Sequence, residues 1–184
     1  MKKICVYCAA NEKVDQIYKD AAYDLGREIA SSGNSLIYGG GASGLMGAVA
    51  RGCADYKGHI IGVVPDFISE FEPVFEIADV VLHTKTMATR KEIMEHNSDM
   101  FIILPGGVGT LDEMFQIIVQ KELDRETEPI IIYNVDGFYD KLAAFLYELV
   151  DKKFVREKVR SLVRVCNSIE EIRVIFEEEK KLES

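Results

Sequence analysis

Met100-Phe101-Ile102-Ile103-Leu104-Pro105-Gly106-Gly107-Val108-Gly109-Thr110-Leu111-Asp112-Glu113 decides how this chain folds. A short, unbroken apolar run is a strand buried on both faces, because a half-exposed strand would alternate with polar residues. Pro105 stops the strand by removing an N–H. Gly106, Gly107 and Gly109 then leave the backbone bare, and a helix-forming stretch follows from Thr110. Strand, glycine turn and helix in that order form one half of a parallel β-α-β crossover.

The same alternation extends in both directions. Residues 2–8 are β-rich. Val14, Ile17, Tyr18, Ala21, Ala22, Leu25 and Ile29 form a helical stripe within 14–32, and Gly33 follows at the position that favours left-handed backbone. Residues 35–38 form a second strand, which meets the turn Gly39-Gly40-Gly41-Ala42-Ser43-Gly44 and a helix from Leu45 to about Tyr56. Residues 59–64 form a third strand closed by Pro65, 66–79 are irregular, and 80–83 form a short strand. Helices are expected over 86–97, 110–124, 138–152 and 168–180, with strands at 130–133 and 162–165. Apolar strands separated by amphipathic helices imply an α/β fold, a parallel sheet with helices on both faces. No linker, repeat or low-complexity segment divides residues 1–184, so a single domain is expected.

Composition narrows the function. The net charge of −9 disfavours a polyphosphate partner such as nucleic acid. The apolar runs are too short to span a bilayer, and the start of the chain reads directly into a strand, which implies a cytoplasmic protein. Cys5 and Cys8 have redox-motif spacing, but three positions apart on a strand they point to opposite faces, so buried structural cysteines are expected. His59, His83 and His96 have no metal-ligand spacing, and no metal is expected.

A parallel sheet binds ligands beyond the carboxyl ends of its strands, and both glycine turns fall there. Gly39, Gly41 and Gly44 fit a dinucleotide turn, with Asp66 at about the distance for a ribose contact. The alternative is that Gly39, Gly40, Gly41 and Gly44 let the next helix pack closely on the sheet. The turn at Pro105 is more specific. Glycines admit a phosphate to the backbone, and a helix N-terminus directs free N–H groups at it. No Lys-Ser or Lys-Thr pair follows, so it is not a nucleoside-triphosphatase loop. Thr110-Leu111-Asp112-Glu113 also spells a capping box, worth about 1 kcal/mol, in which Glu113 reaches back to the cap N–H. Otherwise Glu113 turns into the cleft and serves another part of the ligand.

Arg90 falls in the middle of the inner face that Met87, Ile93 and Met94 mark on the 86–97 helix. An arginine there needs an anion, either a carboxylate or a bound phosphate. Lys91 lies at the edge of that face, where Glu95 is its natural partner one turn on.

These residues together resemble the Lonely Guy family of phosphoribohydrolases, whose members are often labelled possible lysine decarboxylases. The resemblance rests on Arg90-Lys91 followed by Pro105 to Glu113, on Tyr38-Gly39-Gly40-Gly41 with Gly44-Leu45-Met46-Gly47, and on Asn134-Val135-Asp136-Gly137-Phe138-Tyr139, in collinear order. It implies a Rossmann-like, doubly wound fold, a homodimer with sites near the subunit interface, and no cofactor. It also implies hydrolysis of the N-glycosidic bond of a nucleoside 5′-monophosphate, AMP or its N6-modified forms, to free base and ribose 5-phosphate. Arg90 and Glu113 would be catalytic. Glu72, Lys91, Gly106, Gly107, Val108, Gly109 and Thr110 would join them in binding substrate. The alternative is a non-catalytic nucleotide or cofactor carrier on the same fold. The chain departs from the family's usual Gly/Ser-rich loop at Ala9-Ala10-Asn11-Glu12 and from its usual His and Glu or Gln at Ala88-Thr89.

Overall fold

A computed structural model describes residues 1–69, 76–125 and 127–182. In chain order the elements are β1 (Lys3–Tyr7), α1 (Gln16–Ser31), β2 (Ser35–Tyr38), α2 (Gly44–Asp55), β3 (Ile60–Pro65), α3 (Asp66–Ser69), β4 (Val80–Thr84) and α4 (Met87–His96). Then follow β5 (Met100–Ile103), α5 (Val108–Glu122), β6 (Ile130–Tyr133), a 3-10 turn (Val135–Gly137), α6 (Asp140–Asp151), α7 (Val159–Leu162), β7 (Val163–Cys166) and α8 (Ile169–Leu182).

The strands among the described residues make one seven-stranded sheet in the order β4-β3-β2-β1-β5-β6-β7. Every pairing is parallel, with Cys5 opposite Ile37 on one side and Phe101 on the other. Both faces are covered, as the unbroken apolar strands require. Ile4, Val6 and Cys8 point to one face, where Leu25 of α1, Val49 of α2 and Phe176 of α8 close the core. Cys5 and Tyr7 point to the other, against Met94 of α4 and Met114 and Ile117 of α5. Period-two alternation thus puts Cys5 and Cys8 in different cores, and all four cysteines are free thiols buried among apolar side chains.

Gly33 does end α1 in the left-handed region, at φ +75°. Helices α1 and α2 approach closely because Gly26 and Gly52 lack side chains: a Cβ at Gly26 would overlap the Val49 carbonyl oxygen, and one at Gly52 the Tyr23 carbonyl oxygen. The irregular stretch expected after Pro65 begins with the short helix α3. No helix among the described residues is long and apolar enough to cross a membrane.

Strand order sets the position of the site. The chain leaves β1 for β2, β3 and β4 on one side, then returns to place β5 against β1 and continues outward on the other. Connections therefore diverge above β1 and β5, and a crevice opens outside their carboxyl ends.

Candidate functional site

A cavity of about 310 Å³ occupies that crevice. The residues after β1 line one wall, α5 another, and Arg90 and Met87 of α4 a third.

The wall from α5 is a helix N-terminus. Gly107 is the N-cap, with extended φ −91° and ψ −155°, so the helix begins at Val108. The N–H groups of Val108, Gly109 and Thr110 lie in its first turn, where no acceptor inside the helix can reach them. A Cβ at Gly107 or Gly109 would meet nothing within 4 Å, and both residues line the cavity. These two glycines keep the approach to the amides open. Gly106 differs, since a Cβ there would overlap the Thr110 hydroxyl. Val108 is 84% exposed, which leaves only its backbone to serve the site.

The start of α5 settles the reading of Glu113. Thr110 is the third helical residue rather than the cap, and the N-cap receives no side-chain hydrogen bond. No capping box forms. Glu113 instead lies one turn along from Gly109 and Thr110, on the same helix face. Its Oε1 accepts from Arg90 Nη1 at 2.6 Å, and Arg90 Nε donates to the Val63 carbonyl at 3.0 Å. The two residues are 7% and 8% exposed. The anion that Arg90 needs is thus a carboxylate. Burial pushes the Glu113 carboxyl above the usual carboxylate range; the Arg90 guanidinium opposes this, and Asp112 adds to it.

Lys91 stands outside the cavity lining, and its ammonium pairs with Asp112 at 2.9 Å rather than with Glu95. Two ion pairs, Arg90–Glu113 within and Lys91–Asp112 without, therefore join α4 to α5. Glu72 lies outside the described residues. Thr89 is used at the start of α4, where its N–H donates to the Thr86 hydroxyl at 3.1 Å.

The first glycine turn proves to be part of the protein's own scaffold. The Gly44 N–H donates to Glu12 Oε2 at 2.7 Å, and the Leu45 and Met46 N–H groups both donate to the Ala9 carbonyl, at 2.9 and 3.3 Å. An internal carboxylate and carbonyl thus occupy the place where a dinucleotide pyrophosphate would sit. This is the work of the unusual Ala9-Ala10-Asn11-Glu12 loop. Gly39 makes room for Arg90, since a Cβ there would overlap Arg90 Nη2.

Two features of the site emerge only in the assembled fold. Met46, Pro65, Ile68 and Met87 form an apolar wall to the cavity, assembled from four separate segments. Tyr139 sends its hydroxyl to the Leu104 carbonyl at 2.8 Å, behind the glycine turn. No lysine lines the cavity, and no group of three or more metal-ligating side chains exists, among the described residues. The site thus combines an anion cradle, a buried carboxylate held by an arginine, and an apolar surface.

Known proteins share this chain's sequence and shape. Residues 46–174 match the family described as "Possible lysine decarboxylase". A cytokinin riboside 5′-monophosphate phosphoribohydrolase of Oryza sativa subsp. japonica is 37% identical over 177 residues, 96% of this chain and 73% of the relative. One from Arabidopsis thaliana is 37% identical over 162 residues, 88% of this chain and 75% of the relative. Among solved structures, the molybdenum cofactor carrier protein from Chlamydomonas reinhardtii superposes with a TM-score of 0.75 at 20% identity, covering 96% of each chain. That likeness establishes the fold alone.

Proposed function

This chain belongs to the Lonely Guy family, and from that premise we propose that it hydrolyses the N-glycosidic bond of a nucleoside 5′-monophosphate, AMP or an N6-modified AMP, to free base and ribose 5-phosphate. The observation that carries this reading is the buried Arg90–Glu113 pair at 2.6 Å, one helical turn behind the open amides of α5.

The 5′-phosphate sits on the backbone of Gly106, Gly107, Val108, Gly109 and Thr110, where the helix dipole and free N–H groups favour an anion. This anchor places the ribose beside Glu113 and the base toward the apolar wall of Met46 and Met87. The C1′–N bond breaks with its electron pair leaving on the base nitrogen, so positive charge builds on the ribose. The Glu113 carboxylate stabilises that charge and takes a proton from the water whose oxygen bonds to C1′. The base gains its proton from solvent. Arg90 keeps Glu113 ionised and oriented; a guanidinium holds its protons too tightly to act as an acid, so its role is that of an electrostatic anchor. Binding energy at the phosphate positions the distant reacting bond. Glu72 is assigned to substrate contact on family resemblance, and Lys91 supports the site from outside through Asp112.

The functional unit we propose is a homodimer. Phe115, Val119 and Leu123, four residues apart on α5, present an exposed apolar stripe that starts near the site. The free thiols fit a reducing cytoplasm.

Incubation with AMP and N6-isopentenyl AMP should release free base, and Glu113→Gln should nearly abolish release while phosphate binding persists. Tight nucleotide binding without base release from any nucleoside monophosphate would leave a carrier as the reading.

A further inference from the structure

The segment Asn134-Val135-Asp136-Gly137-Phe138-Tyr139 follows β6 and has no role in the reaction described above. Its geometry is nonetheless closely specified. Asp136 and Gly137 are both left-handed, at φ +51° and +67°, which turns the chain sharply after β6. The Asn134 side chain holds that turn. Its Oδ1 accepts from the Tyr139 N–H at 2.8 Å, and its Nδ2 donates to Asp140 Oδ1 at 2.8 Å and Asn167 Oδ1 at 3.1 Å.

The product of this construction is the location of one hydroxyl. Tyr139 is buried, and its hydroxyl donates to the Leu104 carbonyl at 2.8 Å. Leu104 and Gly106 flank Pro105, which has no N–H of its own to tie the turn. From the other side, the Ala9 N–H donates to the Pro105 carbonyl at 3.2 Å and the Leu104 N–H to the Tyr7 carbonyl at 3.0 Å. The Leu104 N–H, the Leu104 carbonyl and the Pro105 carbonyl therefore each have a partner. The amides that follow, at the start of α5, face the cavity. The turn is fixed from behind and open in front, the arrangement of a preorganised anion site.

We infer that Tyr139 is a positioning residue for the substrate phosphate: its hydroxyl fixes the Leu104 carbonyl at the base of the turn and so aims the amides of residues 107–110. The inference rests on the reading that phosphate binds there. Removing the hydroxyl takes this partner from the Leu104 carbonyl beside the turn, and the amides lose their common aim.

The test is Tyr139→Phe, which keeps ring and packing. Inhibition by inorganic phosphate and by adenine is measured against AMP hydrolysis, alongside the melting temperature. The Ki for phosphate and the KM for AMP should each rise roughly tenfold, while the Ki for adenine stays within about twofold. A phosphate Ki equal to wild type overturns the inference, whatever happens to the melting temperature; so does an equal rise in both inhibition constants, which marks general loosening. Asn134→Asp, which keeps the acceptor for Tyr139 but loses the donor, should give a smaller rise in phosphate Ki. If Tyr139→Phe does not fold, an unchanged phosphate Ki in Asn134→Asp overturns the inference. Wild-type protein that neither releases base nor is inhibited by phosphate would instead remove the underlying reading of the site.

Discussion

Gly39 has no side chain because Arg90 occupies the space. A Cβ at that position would overlap Arg90 Nη2 and lie 2.7 Å from Met46 Sδ. Gly39→Ala should therefore push the guanidinium off Glu113 and lower kcat/KM by about 100-fold, since misplacement of this order costs that much in a positioned site. Steady-state kinetics with AMP check this; wild-type kcat/KM would mean that Arg90 need not sit where it does. Glu113 makes a pH prediction. Its pKa is raised from 4.5, chiefly by burial and against the pull of Arg90, and the proposed reaction uses the carboxylate. Activity is then lost as pH falls through a value above 4.5, and the acid limb of the kcat/KM profile should lie there. Asp112 adds to the rise, so Asp112→Asn should move that limb to lower pH. An acid limb unmoved by this change would place the titrating group elsewhere. Arg90 was legible as an arginine on an apolar face, but sequence left a carboxylate and a phosphate as equal partners. The choice depends on α4 and α5 meeting in space, which residues 23 apart do not announce.

Helices were legible where apolar spacing was strong, and least so at the start of α5. Gly107-Val108-Gly109 are poor helix formers, and Thr110 with Glu113 spells a capping box, so local rules begin the helix at Thr110. The helix begins at Val108, because the turn is held from outside by Tyr139 and Ala9. Tertiary contacts thus override weak propensity where the ligand binds, and they release Glu113 from capping. The first glycine turn misleads for a related reason. Its glycines match a dinucleotide pattern, yet Glu12, distant in sequence, fills the anion position. The glycines within α1 and α2 have a plainer role. A Cβ at Gly52 would overlap the Tyr23 carbonyl, so Gly52→Ala must part the two helices. Overpacking of this kind should cost about 1–3 kcal/mol. A urea titration should show the lower midpoint while the KM for AMP is unchanged, because α1 and α2 meet on the face away from Arg90 and Glu113. A midpoint equal to wild type would mean that the helix pair yields without penalty.

At the scale of the molecule, a parallel sheet covered on both faces was legible from the order and apolarity of its segments, but the strand order was not. Local sequence cannot say that the chain returns from edge strand β4 to place β5 beside β1. That return creates the crevice and brings Arg90 and Glu113 together in its wall, one helical turn from the first amides of α5. It also sets α5 across the outside of the sheet with one face unclaimed. Phe115, Val119 and Leu123 are 36%, 49% and 56% exposed, and their spacing is that of a single helical stripe. Exposed apolar side chains scattered singly need no partner, whereas three aligned along one helix form a candidate interface. A second copy of the chain gives the symmetric solution, each stripe covering the other about a two-fold axis. It would also bring the partner close to the site, because the same helix carries the anion site at its other end. Light scattering should then give wild type a mass twice the 20.7 kDa of the chain. Val119→Asp places a charge in the centre of the stripe and should yield monomer, with base release falling alongside. A dimer that survives Val119→Asp would place the interface on another face.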